Sequence, residues 1–175
     1  PLPSERLTDM RLRAENISQP SEGSFRDNLD FYFMQKRSEI WAEKDTKELI
    51  KKYKKDLESD QRNVSLSGRY GLALALKKEK KYEESFKILR ELIKESPNNL
   101  VLESSLMEIH LSAKNYYEAI SLGKNILEIH DNNYAASILL ADAYIENNQS
   151  EVAEKILKEL AKNRETDPNA VSYTH

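Results

Sequence analysis

The sequence predicts an all-α solenoid built from antiparallel helix hairpins, and three observations lead to this prediction. Charged residues make up 33% of the 175 residues and apolar residues 39%, with only four glycines and five prolines, which is typical of helical proteins with solvated outer faces. The stretch GLALALKKEKKYEESFKIL at 71–89 recurs at a spacing of 34 residues, at 105–123 and again at 140–157. Each copy holds two amphipathic halves separated by a short break, as a packed pair of helices requires.

Equivalent positions of the three copies carry similar residues. The aligned sets are Leu72, Leu106 and Leu140; Ala73, Met107 and Ala141; Ser85, Ala119 and Ala153; and Ile88, Leu122 and Ile156. Small side chains let paired helices approach closely, while Leu and Ile fill the seam between them. Because one such unit cannot bury its apolar face alone, about three stacked copies are needed for a stable array.

A two-helix period of 34 residues resembles the tetratricopeptide (TPR) repeat family. The resemblance lies in the large-small pair Leu72-Ala73 and its counterpart in copy three, in the small residue that opens each second helix, and in Pro97 at the consensus proline. Copy two departs from the family pattern, since Asp131 replaces the second proline and Gly123 stands where a large apolar residue is usual. The resemblance implies a TPR superhelical solenoid whose function is to bind other proteins.

This register divides the whole chain into segments. They are an N-terminal docking helix at 1–17, a linker at 18–28, a helix pair at 29–65, TPR copies at 66–99, 100–133 and 134–167, and the start of a truncated further repeat at 168–175. The helix pair is predicted at Leu29–Ala42, with Phe33, Ile40 and Trp41 on its apolar stripe, and at Thr46–Ser59. We interpret this pair as either a degenerate repeat or an N-terminal cap. Since the chain begins Pro-Leu-Pro without Met, we expect it to be a piece of a longer product.

Two short motifs resemble a narrower family. PLPSERLTDMRLRAEN at 1–16 looks like the segment that follows the protease domain in bacterial periplasmic HExxH zinc metalloproteases of the BepA (YfgC) type, and RYGLALAL at 69–76 looks like the opening of their first full TPR. The resemblance implies a periplasmic location and a role in outer-membrane protein quality control. In that family the TPR part holds unfolded or assembling outer-membrane proteins, or their assembly machinery, near a protease domain in cis. The alternative is a stand-alone TPR scaffold or adaptor with no attached enzyme.

The composition and motifs also exclude several kinds of site. A net charge of −3 argues against a nucleic-acid or membrane-surface binder, and no apolar run approaches the roughly 18 residues of a membrane span. The absence of cysteine excludes thiol catalysis and cysteine zinc sites, and no HExxH motif occurs. We interpret His110 and His130 as packing or surface residues, because two histidines without a third ligand make a poor metal site. The chain is therefore predicted to be non-catalytic and without a cofactor of its own, with zinc expected only in a protease domain outside it.

The candidate binding surface is the concave groove, which the first helices of TPR repeats line. By register its residues are Tyr70, Leu74, Lys77, Lys78, Ser104, Glu108, Leu111, Ile138, Asp142 and Ile145. The positions where some TPR proteins hold a C-terminal carboxylate carry Tyr70, Leu74, Ser105, Ala135 and Leu139, which argues against that mode of binding. An apolar groove bordered by lysines at one end and acids at the other suits extended protein segments with apolar anchors. The alternative is that other parts of the protein cover some of these residues.

Overall fold

The structure is a computed structural model that describes residues 29–166, and this part of the chain forms eight α-helices. They are α1 (Leu29–Ala42), α2 (Thr46–Asp56), α3 (Arg62–Lys78), α4 (Tyr82–Glu95), α5 (Leu100–Ser112), α6 (Tyr116–Ile129), α7 (Tyr134–Glu146) and α8 (Ser150–Thr166). The prediction of an all-α solenoid of helix hairpins is confirmed. The predicted docking helix at 1–17, the linker at 18–28 and the truncated repeat at 168–175 lie outside the described residues.

Helices α3 to α8 form three hairpins that stack in sequence. The two helices of each hairpin pack together, and the first helix of each later hairpin also packs on the second helix of the hairpin before it. Left-handed backbone occurs at Lys80, Lys114 and Asn148 in the turns within the hairpins, and at Asn98 and Asn132 in the turns between them. Both sets keep the 34-residue spacing, so the backbone repeats together with the side-chain pattern.

Asparagines form the turns and the helix N-caps at the boundaries between hairpins. Asn99 caps α5 by accepting a hydrogen bond from the Leu102 backbone N–H, and Asn133 caps α7 by accepting one from Ala136. Each cap follows an asparagine in the left-handed conformation, which asparagine tolerates better than most residues. This pair of signals explains why Asp131 can replace the consensus proline without loss of the boundary.

Copy two keeps the seam between its helices filled by exchanging large and small residues. Copy one pairs Ala73 on α3 with Leu89 on α4, whereas the equivalent positions of copy two are Met107 and Gly123. A Cβ placed on Gly123 would lie 2.6 Å from Met107 Cε and 3.0 Å from Leu140 Cδ1. The Met107 side chain therefore fills the volume that a large residue at 123 would occupy.

This exchange predicts a strong coupling between positions 107 and 123. We expect Met107→Ala to lower the free energy of unfolding by about 2–5 kcal/mol, because it leaves a cavity in the seam. Gly123→Leu should cost about 1–3 kcal/mol or more through overpacking against Met107. The double variant should be much more stable than the sum of the two losses, as measured by urea unfolding in a double-mutant cycle. Additive losses would contradict the exchange.

The N-terminal pair does not copy the later hairpins. The backbone of α1 packs closely on α3. Its contacts with α2 are made by side chains and include two polar ones, with Lys36 Nζ 2.8 Å from Asp56 Oδ2 and the Tyr53 hydroxyl donating to Glu39 over 3.0 Å. Helix α2 ends at Asp56 rather than Ser59, and α3 begins at Arg62, inside the segment assigned to the pair. Asp45 supplies the N-cap of α2 by accepting from the backbone N–H groups of residues 47 and 48.

The predicted apolar stripe of α1 is wrong at one position. Phe33 is buried and Ile40 is partly buried against the core, but Trp41 is 88% exposed. Trp41 instead shares a face with Phe31 and Met34, spaced at three and seven residues, and both of those are also more than half exposed. Helix α1 is therefore apolar on two faces, of which the fold buries one.

Candidate functional site: the concave groove

Helix α1 occupies the N-terminal half of the concave face, lying along both α3 and α5. Near its start, Asp30 accepts a hydrogen bond of 2.7 Å from the Asn99 side-chain amide at the N-terminus of α5. In its middle, the ring of Phe33 packs 4.7 Å from the ring of Tyr70, centroid to centroid. At its end, Lys78 Nζ donates to the carbonyl oxygen of residue 40 over 3.2 Å and to that of Glu43 over 2.7 Å. The three helices therefore run in the same direction, with α1 seated over the other two.

A cluster of polar side chains binds α1 to α3 and α5. Glu108 on α5 accepts from Arg37 Nη2 over 2.6 Å and from Lys77 Nζ over 3.0 Å. The other terminal nitrogen of Arg37 donates to Ser105 Oγ over 3.0 Å and to the Tyr70 hydroxyl over 3.2 Å. Tyr70 and Ser105 share a hydrogen bond of 2.7 Å. One carboxylate thus joins α1, α3 and α5 through two cations.

The charge of Glu108 depends on these two cations. Burial by itself disfavours the carboxylate, but Lys77 and Arg37 attract and hydrogen-bond it, so the pKa of Glu108 lies below its ordinary value. Glu103 on the same helix has the opposite shift, because burial raises its pKa and His130 offsets this only in part. The two carboxylates of α5 therefore respond to acid with opposite signs.

These opposite shifts predict opposite pH dependences. A lowered folded-state pKa means that Glu108 stabilises the fold at neutral pH, and that this contribution is lost as the pH falls below its ordinary pKa of 4.5. We expect Glu108→Gln to cost about 1–3 kcal/mol at pH 7 and much less near pH 3, measured by urea unfolding at each pH. Glu103→Gln is the matched control. It should change the acid dependence in the reverse direction, because the raised pKa of Glu103 favours the fold at low pH. A loss for Glu108→Gln that stays constant with pH would contradict the assignment.

Helix α1 covers two of the four predicted groove residues of copy one. Tyr70 is fully buried, so the expectation that it lies open to a partner is wrong, whereas Leu74 shows 5% of its surface and lines the groove beside α1. The physical reason is that α1 lies on them. Lys77 is bound to Glu108, and Lys78 donates to the end of α1. Substitution at Tyr70 would therefore perturb the fold rather than a free surface.

The remaining predicted residues belong to copies two and three. Ser104 and Leu111 on α5 and Ile138 on α7 are partly buried, whereas Asp142 is exposed and Ile145 is 45% exposed. Positions 138, 142 and 145 lie on one helical face at spacings of four and three residues. The predicted groove is thus open in copy three as well as beside α1, and binding of a partner there stays a prediction.

Four predicted groove residues, Leu74, Lys77, Lys78 and Glu108, line a groove beside α1, but sequence reasoning missed the wall that α1 supplies. The groove has a volume of about 760 Å³ and lies between α1, the C-terminal parts of α3 and α5, and the turn from α3 to α4. Met34 and Trp41 form its apolar wall, and Lys80 stands at its edge. The signal that could have revealed it is the spacing of Phe31, Met34 and Trp41, which places three large apolar residues on a face separate from that of Phe33.

The packing of α1 predicts a sharp contrast between two phenylalanines of the same helix. Phe33→Ala should cost about 3–5 kcal/mol, because it empties a fully buried site against Tyr70. Phe31→Ala, at a residue that is 52% exposed, should change the free energy of unfolding by less than about 0.5 kcal/mol. Hydrogen exchange should show faster exchange of α1 amides in the Phe33 variant alone. Equal effects of the two changes would show that α1 is not anchored as described.

Two histidines, His110 and His130, lie among the described residues. His110 is buried with its ring 4.4 Å from the ring of Phe86, centroid to centroid, and burial lowers its pKa. His130 is the C-cap residue of α6. Over residues 29–166 no cluster of three or more histidine, aspartate or glutamate side chains could hold a metal ion. None of the described helices is long and apolar enough to cross a membrane.

Comparison with known proteins agrees with the architecture. A tetratricopeptide repeat family model matches residues 110–172. A solved structure of MamA (AMB-1) superposes with a TM-score of 0.53 at 14% identity, covering 98% of this chain and 90% of MamA. A structure of a MamA mutant superposes with a TM-score of 0.52 at 15% identity, covering 90% of this chain and 88% of the mutant. These structures show the fold. The described residues therefore have the fold of a tetratricopeptide repeat solenoid.

Curated relatives confirm the narrower resemblance. The beta-barrel assembly-enhancing protease of Yersinia pestis is 29% identical over 171 residues, which is 97% of this chain. The protein of the same name from Escherichia coli strain K12 is 29% identical over 177 residues, again 97% of this chain. The chain spans about a third (34%) of the length of each of these relatives. The repeat fold and this similarity support a non-catalytic, protein-binding TPR module.

Proposed function

We propose that this chain is the partner-binding part of a periplasmic protease that acts in outer-membrane protein quality control. The observation that carries the proposal is the extent of the similarity. It runs through 97% of the chain, and so includes the irregular α1–α2 pair as well as the repeats. In this role the module would hold unfolded or assembling β-barrel proteins, or the machinery that assembles them. Any zinc chemistry would belong to a protease domain outside these residues.

The open face of α7 is suited to hold such segments. Ile138 and Ile145 offer apolar anchors one helical turn on either side of Asp142. An extended polypeptide that covers them gains about 25 cal/mol for each Å² of apolar surface removed from water. Because this contact is shallow and non-directional, it would accept many sequences, as a quality-control factor requires. Asp142 would favour segments with basic residues near the anchor.

The proposal predicts position-specific crosslinking in the full-length protein. A photoreactive amino acid at position 145 should crosslink to β-barrel precursors or to their assembly machinery in the periplasm. The same probe at position 117 is the matched control, because Tyr117 is 77% exposed on α6, away from the first helices that line the groove. Ile138→Glu should reduce the crosslinks at least about tenfold by placing a charge in the apolar contact, while circular dichroism stays helical.

Other outcomes would remove parts of the proposal. Crosslinks of equal strength at positions 117 and 145 would move the binding surface away from the groove. Peptide mapping of the native full-length protein tests the attachment to a protease. A native protein without a protease domain would leave a free-standing adaptor, which is the competing function.

A further inference from the structure

The groove beside α1 presents large apolar side chains that the fold does not use. Trp41 is 88% exposed and Met34 is 54% exposed, and both line the groove. Phe33, on an adjacent face of the same helix, already anchors it in the core. An exposed tryptophan in a concave site is typical of a binding hot spot, because it gives a large contact area for little loss of side-chain entropy.

The groove is also strongly basic, in contrast to the chain as a whole. Its lining includes Arg37, Lys77, Lys78 and Lys80 against the single carboxylate of Glu108, which gives a formal charge of +3. The whole chain has a net charge of −3. Glu108 is shared between Arg37 and Lys77, and Lys78 donates to backbone carbonyls, which do not cancel its charge. Lys80 is exposed in the turn between α3 and α4 and has no ion pair among the described residues.

We infer that this groove binds an extended protein segment that carries an aromatic or branched aliphatic anchor beside one or more carboxylates. The anchor would lie against Trp41 and Met34, and the carboxylates would face Lys78 and Lys80. Charge complementarity favours this occupant, because the cations line the same groove as the exposed apolar side chains of Met34 and Trp41 and would attract the carboxylates of the segment. The inference rests on the proposed function as a protein-binding module and names the chemistry of a partner at a site other than α7.

The chain carries its own reporter for this site, because Trp41 is the only tryptophan. Titration of the whole chain with a short peptide rich in Phe, Leu and Glu should shift the Trp41 emission to shorter wavelength with a saturable dependence. A peptide with Lys in place of each Glu should bind at least about tenfold more weakly, and added salt should weaken binding of the acidic peptide. Comparison of free and amidated C-termini shows whether a terminal or a side-chain carboxylate supplies the charge.

Matched variants separate the site from general charge effects. Lys80→Glu should weaken binding of the acidic peptide about tenfold, measured with a dye-labelled peptide. Lys114→Glu is the control, because Lys114 holds the same left-handed turn position in the next hairpin, with φ of 62° against 60° for Lys80. Trp41→Ala should abolish binding, whereas Tyr117→Ala, at another exposed aromatic residue, should leave it unchanged. All four variants should keep the circular dichroism spectrum of the parent.

Several results would overturn the inference. These are equal binding of the acidic and basic peptides, equal effects of Lys80→Glu and Lys114→Glu, or displacement of the peptide by a single-stranded DNA oligonucleotide at similar concentration. Trp41 emission already at short wavelength without peptide would show that another part of the chain covers the groove, and would also overturn it. If crosslinking at position 145 persists in any of these cases, only this inference fails. Loss of crosslinking at position 145 would instead remove the proposed function.

Discussion

Phe33 and Arg37 hold α1 against α3 and α5, and the shape of the whole concave face depends on this attachment. Phe33 completes the core around Tyr70, while Arg37 reaches Glu108, which lies 71 residues further along the chain. The same contacts close one surface and open another. Tyr70 of α3 loses its access to solvent, and α1 becomes one wall of a groove that also includes residues of α3 and α5. A repeat array therefore acquires an asymmetric concave face without a change in the repeats themselves.

The cost of displacing α1 determines which surfaces a partner can use. Burial of a phenylalanine side chain stabilises a protein by about 1.5–3 kcal/mol, and a partner that entered the covered half would have to replace this contact and the charge pairing of Glu108. Copy three needs no such replacement, since Ile145 and Asp142 are already exposed. Binding on the N-terminal half is therefore expected in the groove beside α1 rather than beneath the helix.

Much of the fold could be predicted from the sequence because its causes are local and periodic. The apolar pattern of each hairpin, the small residues at the helix seams and the asparagines at the turns all lie within one 34-residue unit. Met107 and Gly123 are visible in the sequence as two departures from the aligned copies. Only the structure shows that they compensate each other, because a Cβ placed on Gly123 would lie 2.6 Å from Met107 Cε. The site was harder to predict, since Tyr70 has the register of a groove residue and yet is buried. Its burial comes from Phe33 and Arg37, whose partners are too distant in sequence for any periodic pattern to reveal.

The two ends of the concave face differ in charge as well as in access. The α1 groove collects lysines and an arginine around one carboxylate, while the open face of α7 carries Asp142 between its apolar positions. An extended segment with an acidic part and a basic part could touch both ends in only one direction without placing like charges together. If both surfaces engage one partner, their charges fix the direction in which that chain crosses the module.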